Sequence, residues 1–318
     1  MAAVLTYSDY WLPPTSIPIG EFVNRIDYPA NNKNSLSRTL SDTLGFNGVR
    51  IDDRAREAEH FSILLDGYFA SVQTPRSDIG YVIYTRGGSV ASGDPWSKKD
   101  LPCVNVPYFL HSKYGLSAEI FNIEQECSGT MMAIKIGAAL LAEGRAKKLL
   151  LLSSNYFENL DKRLMADMIL VSDGLALMEI AAEGEGLRII DHTALTDGGI
   201  SRVMDFNSDA NFKKMIDSGC SIIQELISRN GISLADVALI IPQNISEATW
   251  HFYCHQLRIS PSKVFLENCG GVGHLGDVDI IRNITDARRK NRLKRGDYAI
   301  IYGVGTGSSW NALLVQTN

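Results

Sequence analysis

The sequence predicts an α/β fold made of two similar halves, and three observations lead there. Short apolar, β-branched runs alternate with segments of helical spacing along most of the chain. One helix, beginning at Met131 and running to Gly144, is small and apolar on nearly every face, as suits a helix packed in the middle of a domain. The same order of elements then appears twice. Cys127 precedes that helix, a strand (Lys148 to Ser153), Ser172-Asp173-Gly174 and a further strand; His274 precedes a helix (Asp277 to Arg292), a strand (Tyr298 to Tyr302), Gly303 to Gly307 and a last strand (Asn311 to Gln316). A duplicated unit of this kind brings the two helix N-termini together at a pseudo-twofold axis.

Taken in order, Ala2 to Tyr7 reads as a strand, Tyr10 to Pro18 as an extended region with three prolines, and Ile19 to Arg25 as a short helix. Tyr28 to Ser41, rich in Asn, Ser and Lys, reads as a surface loop. Arg54 to Gln73 carries apolar residues at helical spacing, and Ile79 to Thr85 is a buried strand. A loop with Gly87, Gly88, Gly93 and Pro95 leads to a helix over Val104 to Tyr114. Phe121 to Cys127 is the strand that delivers the cysteine. Ala146 to Ser153 and Leu175 to Ala181 are strands, and the acidic, glycine-containing Glu183 to Gly186 divides the halves at 1–183 and 184–318. The second half supplies a strand (Leu187 to Thr193), an amphipathic helix (Phe212 to Ser228), a strand (Val237 to Ile241) and a helix (Ile245 to Leu257) ahead of His274.

The 318 residues are 45% apolar with a net charge of -5, an ordinary composition for a globular protein that argues against nucleic acid or an anionic membrane as main partner. Five cysteines, odd in number and scattered, include no CxxC pair and no zinc-like spacing, so free thiols in a reducing compartment are expected. The N-terminus lacks a basic region followed by an apolar one, and no apolar run is long enough to span a bilayer. A cytoplasmic protein without metal or tightly bound cofactor is the expectation.

Cys127 stands where a strand turns into a helix, at the positive end of the helix dipole. Unpaired N–H groups there favour thiolate, which is how a nucleophilic cysteine is made; a buried cysteine acting as a small hydrophobe is the alternative. His274, flanked by glycines and ahead of a helix, is the matching candidate from the second half. His251 and His255 lie one turn apart without an evident third ligand, and the basic run from Arg288 to Arg295 reads as a solvated helix end.

With these residues in view, the chain resembles the thiolase-fold condensing enzymes, specifically the β-ketoacyl-ACP synthase III family, over nearly its whole length. Phe121 to Thr130 resembles the family's nucleophile elbow, Ser172-Asp173-Gly174 its GDG turn, and Lys294 to Asp297 with Gly303 to Gly307 its closing strand and glycine-rich turn. The resemblance implies a five-layered αβαβα thiolase fold with two pseudo-symmetric halves and an acyl-accepting Cys127. The family's Pro-His-Gln-Ala-Asn segment reads Pro242-Gln243-Asn244-Ile245-Ser246 here, so Gln243 replaces the usual histidine. His274 falls on the family's asparagine. The implied catalytic set is Cys127, His274 and Gln243, with His274 as base and Gln243 donating to a thioester oxygen. Backbone N–H groups of Cys127 and Gly305 complete an oxyanion hole.

Further implications are an acyl thioester substrate on CoA or a phosphopantetheinyl acyl carrier protein, and a homodimer or a heterodimer with a related synthase. Glu247-Ala248 and Thr43-Leu44-Gly45 stand where the family places arginines for CoA. Lys213, Lys214 and Arg258 are the candidate carrier-docking residues. The expected chemistry is ping-pong acyl transfer ending in C–C bond formation by Claisen condensation. The alternatives are transfer to an oxygen or nitrogen nucleophile, or a non-catalytic partner subunit.

Overall fold

The structure is a computed structural model that describes residues 3–52, 57–87, 105–157, 159–165, 167–198, 208–305 and 308–318. The first half runs through β1 (Val4–Trp11), β2 (Ser16–Pro18), α1 (Ile19–Arg25), α2 (Lys33–Arg38), β3 (Gly48–Arg50), α3 (Glu57–Ser71), β4 (Ile79–Gly87), α4 (Val106–Tyr114) and β5 (Glu119–Ile123). It continues with α5 (Gly129–Ala142), β6 (Lys148–Asn155), β7 (Leu164–Met165), β8 (Ile169–Leu170) and β9 (Gly174–Ala181). The second half contains β10 (Leu187–Thr196), α6 (Asp209–Arg229), β11 (Val237–Pro242), α7 (Glu247–Leu257), α8 (Val278–Arg289), β12 (Tyr298–Gly305) and β13 (Ser309–Thr317).

The strands show the duplication directly. In the first half the order is β5-β4-β6-β9-β1, with β4 parallel to β5 and β6, and β9 antiparallel to β6 and β1. In the second half the order is β11-β12-β13-β10, with β11 parallel to β12 and β13 antiparallel to β12 and β10. A parallel bridge from Ile240 to Val264 supplies a rudimentary counterpart of β5. The two sheets join where Val4 and Leu5 pair with Arg188 and Leu187. Helices α5 and α8 lie between the sheets and touch strands of both, whereas α3 and α6 cover the outer faces. This is the αβαβα layering of the thiolase fold.

Apolar content explains the layers. The inward faces of β4, β6 and β9 (Tyr81, Ile83, Leu149, Leu151, Met178, Ile180) share one core with Met131 and Ile134 of α5 and Ile280, Ile281 and Ile284 of α8. The opposite faces pack against α3, and in the second half against α6 and α7. Burial of these side chains is the main stabilising term, at roughly 1.5–3 kcal/mol for each large one.

Two sequence expectations change. Tyr28 to Ser41 is not simply a surface loop: α2 and a π-helical turn from Thr39 to Thr43 occupy it, with Leu36 and Leu40 buried against Phe22 and Phe46. The leucines four residues apart outweigh the polar composition between them. The strand expected over Phe121 to Cys127 stops at Ile123, and a tight turn carries the chain to Cys127. Cys103 and the Val90 to Trp96 loop lie outside the described residues.

Candidate active site

Cys127 is placed by a strained turn. Glu126 has φ +47°, a left-handed conformation that costs a non-glycine residue about 1 kcal/mol or more. Glu126 is half-buried and belongs to this turn. The Ser128 hydroxyl reaches back to the Gln125 carbonyl (2.9 Å) and across to Ser309 Oγ (2.7 Å), tying the turn to the second half of the molecule. Directly after it, α5 begins at Gly129, so the 6%-exposed Cys127 sits at the helix N-terminus. A Cβ at Gly305 would lie 2.7 Å from Ser128 Oγ and 3.0 Å from the Gln125 carbonyl oxygen, so only glycine lets β12 approach this closely.

His274 arrives from the pseudo-symmetric position before α8. Its backbone is pinned on both sides: its N–H donates to Leu170 O (2.7 Å) and its carbonyl accepts from Ser172 N–H (2.8 Å). The Ser-Asp-Gly turn thereby acquires a purpose. Asp173 takes two bonds from the buried Arg163 guanidinium (2.8 Å each) and further bonds from the Phe157 and Asp52 N–H groups. This fixes the segment on which His274 rests.

The imidazole is 4% exposed, lines the same pocket as Cys127, and hydrogen-bonds Asp279, Nδ1 to Oδ2 at 2.5 Å. Burial alone works to lower the His274 pKa. The Asp279 carboxylate, and then Cys127, outweigh it, and the group is pushed up to about 10. The outcome is a thiol, an imidazole and a carboxylate brought together at one end of the pocket.

Asp279 escaped the sequence reading because of its surroundings. Helix α8 alternates Ile280, Ile281 and Ile284 with Asp279, Arg282, Asn283 and Asp286, which resembles a helix with one face in water. Every residue from Val278 to Ala287 is in fact buried. The available signal was the spacing: an acid five residues after the glycine-flanked histidine, in the first turn of the helix.

Gln243 does not take the role expected of it. Its Nε2 donates to the Cys127 carbonyl and its Oε1 accepts the Val304 N–H (2.6 Å), so the amide straps the nucleophile's peptide to β12. The side chain is wholly buried and is not among the residues lining the pocket, because the turn after β11 directs it onto backbone. In this geometry both ends of the amide are held by backbone.

The pocket over Cys127 and His274 encloses about 660 Å³ including its open mouth. Met165, Met168, Ile169, Phe212, Met215, Ile245 and Val304 make its wall apolar; Thr249 and Gly305 also line it. Cys127 and Gly305, the expected oxyanion pair, therefore both line the cavity. Asp277 is completely buried beside the site, its Oδ1 accepting the Thr130 N–H of α5 at 3.0 Å. Burial pushes its carboxyl up to about 7, against the Thr130 N–H bond and the charge of His274.

The docking candidates lie on the surface close to Phe212. Lys213 pairs with Asp217 and Lys214 with Asp197, both at 2.5 Å, while Arg258 is exposed and ends α7 in a left-handed conformation. In the basic run, Arg289 pairs with Asp9, and Lys290 and Arg292 with Glu267. His251 and His255 are exposed on α7. Among the described residues no group of three or more His, Cys, Asp or Glu side chains is arranged to hold a metal ion. No described helix is long and apolar enough to cross a membrane.

The family model for 3-oxoacyl-(acyl-carrier-protein) synthase III matches residues 121–198, and the model for its C-terminal part matches residues 227–317. The chain is 27% identical over 244 residues to the β-ketoacyl-(acyl-carrier-protein) synthase III of Nitratidesulfovibrio vulgaris, covering 68% of this chain and 73% of that protein. It is 22% identical over 205 residues to the synthase III of Aquifex aeolicus, covering 62% of this chain and 66% of that one.

Solved structures agree on the fold. Synthase III from Aquifex aeolicus superposes with a TM-score of 0.81 at 16% identity, over 99% of both chains. Xanthomonas campestris OleA with bound lauric acid and lauroyl-CoA gives 0.82 at 14%, over 99% of both. ChlB3, described as an acyltransferase, gives 0.80 at 17%, over 100% of this chain and 98% of that one.

Proposed function

Because the chain belongs to the 3-oxoacyl-(acyl-carrier-protein) synthase III family, we propose that it is an acyltransferase that moves an acyl group from a thioester, through Cys127, to an oxygen or nitrogen nucleophile. The observation that carries this reading is the grouping of Cys127, His274 and Asp279, in which His274, among the described residues, is the titratable side chain that lines the pocket with Cys127.

In the first half-reaction sulfur attacks the thioester carbonyl with its proton already held by His274, whose raised pKa keeps the imidazole protonated at neutral pH. The tetrahedral oxygen lies against the backbone of Cys127 and Gly305. Collapse breaks the carbonyl–sulfur bond of the donor, whose thiol leaves with the proton held by His274. In the second half-reaction an alcohol or amine gives its proton to His274 and attacks the acyl-enzyme. Cys127 then departs, and the proton stays on His274 for the next cycle. Asp279 holds the imidazole by Nδ1 and supports the imidazolium formed in each step.

Decarboxylative condensation makes a different demand, since two donors normally hold the developing enolate. Here the second position belongs to Gln243, whose amide is engaged with backbone. The named relatives are 3-oxoacyl synthases, which favours Claisen condensation as the second reading. The donor is a CoA thioester or an acyl carrier protein, the latter docking beside Phe212 through Lys213, Lys214 and Arg258.

Offering a preloaded acyl-enzyme malonyl thioester alone, and separately a panel of alcohols and amines, decides between the two. Ester or amide formation with no CO₂ released from malonyl thioester is expected. A β-keto product with stoichiometric CO₂ would replace this reading with condensation.

A further inference from the structure

Behind the site lies a chain of buried side-chain amides that no catalytic step uses. The Asp279 carboxylate accepts four hydrogen bonds: from His274 Nδ1, from the Asn244 N–H (3.0 Å) and Nδ2 (2.9 Å), and from the Leu275 N–H (3.2 Å). Asn244 is turned into this pose by Asn283, whose Nδ2 donates to Asn244 Oδ1 (2.7 Å) and to the Pro242 carbonyl (2.7 Å). Asn268 donates to Asn283 Oδ1 (2.9 Å) and to Asp286 (2.8 Å), and Arg282 donates to Asn268 Oδ1 at 3.3 Å. All three asparagines are at most 5% exposed.

Each amide passes one N–H bond toward Asp279, while Asn268 also donates to Asp286 and Asn244 also reaches back to Asn283 Oδ1 at 3.5 Å. Aligned buried bonds polarise one another, and none of the three amides can rotate without leaving a buried donor or acceptor unpaired. Placing a polar row along a helix that is otherwise core costs desolvation energy, which a merely space-filling role does not justify.

We propose that Asn244, held by Asn283, is a positioning residue: it fixes the one orientation of Asp279 from which His274 is aligned on Cys127. Resting on the acyl-transfer reading only for the roles of Cys127 and His274, it adds a determinant two residues removed from the sulfur. The groups facing the imidazole are Asp279 from α8, Asp277 just before it, and Cys127 from the turn before α5; Cys269 faces Asp279.

The test needs no acyl substrate, so it succeeds or fails separately from the choice of acyl acceptor. Full-length protein labelled at histidine Cε1 is titrated by NMR, the His274 signal being identified by its loss in His274→Asn. Cys127 alkylation by iodoacetamide is timed at pH 7. Asn244→Ala is expected to lower the His274 midpoint by about one pH unit and to slow alkylation about 10-fold. A purely structural asparagine would lower the melting temperature and leave both readouts at their wild-type values, and that result overturns the proposal. Should Asn244→Ala fail to fold, Asn283→Ala is measured in its place: a smaller shift in the same direction supports the proposal, and no shift overturns it.

Discussion

Nδ1 of His274 lies 2.5 Å from Oδ2 of Asp279, and this contact leaves Nε2 as the nitrogen for Cys127. In the proposed mechanism proton transfer in both half-reactions uses that nitrogen, which would let Asp279 govern catalysis without touching substrate. Asp279→Asn and His274→Ala are each expected to slow acyl loading of Cys127 by about 10²-fold or more. A single-turnover time course followed by intact mass measures this, and wild-type loading in either variant removes that residue from the mechanism.

Gln243 separates a structural part from a chemical one. Gln243→Ala leaves the buried Cys127 carbonyl and Val304 N–H without their partner, a loss of about 1–3 kcal/mol for each such group. A lower urea midpoint should accompany any fall in activity. Full stability with abolished turnover would restore Gln243 as a donor to substrate.

Much of the site was legible because the chain repeats itself. Cys127 and His274 occupy equivalent places ahead of α5 and α8, and reading the two halves against each other brought them together without coordinates. The side-chain direction of Gln243 was not legible, since it depends on how the chain turns after β11. Nor was Asp279, because the polar row of α8 has the spacing of a solvated face and only the second sheet, folded over it, makes it core. Leu36 and Leu40 show the converse, where two apolar side chains at helical spacing organise a stretch whose composition is that of a loop.

At Gly305 the close approach of β12 to the cysteine turn leaves no room for a side chain. Gly305→Ala is expected to destabilise the protein by about 1–3 kcal/mol and to impair loading, since the added methyl displaces Ser128 and the turn it clamps. Thermal melts and the same loading assay check it. Unaltered behaviour would show that the turn yields easily.

Asp277 and His274 make stability depend on pH in two windows. With its folded pKa raised from 3.8 to about 7, Asp277 keeps a proton on folding that the unfolded chain releases, so its contribution falls as pH rises from about 4 to 7. His274, raised from 6.5 to about 10, contributes fully below pH 6.5 and loses that contribution as pH climbs to 10. Urea midpoints across pH 4 to 10 should therefore decline twice. Asp277→Asn, which keeps an acceptor for the Thr130 N–H, should abolish the first decline and spare the second; a first decline that persists in the variant would assign it to other groups.

The most direct measurement is the mass of the intact protein after exposure to a panel of acyl-CoA and acyl-carrier thioesters. The account predicts a gain equal to one acyl group, mapped to Cys127 and absent from Cys127→Ala. A protein that stays unmodified across a broad panel would contradict an acyl-enzyme and leave a partner subunit without catalysis in its place.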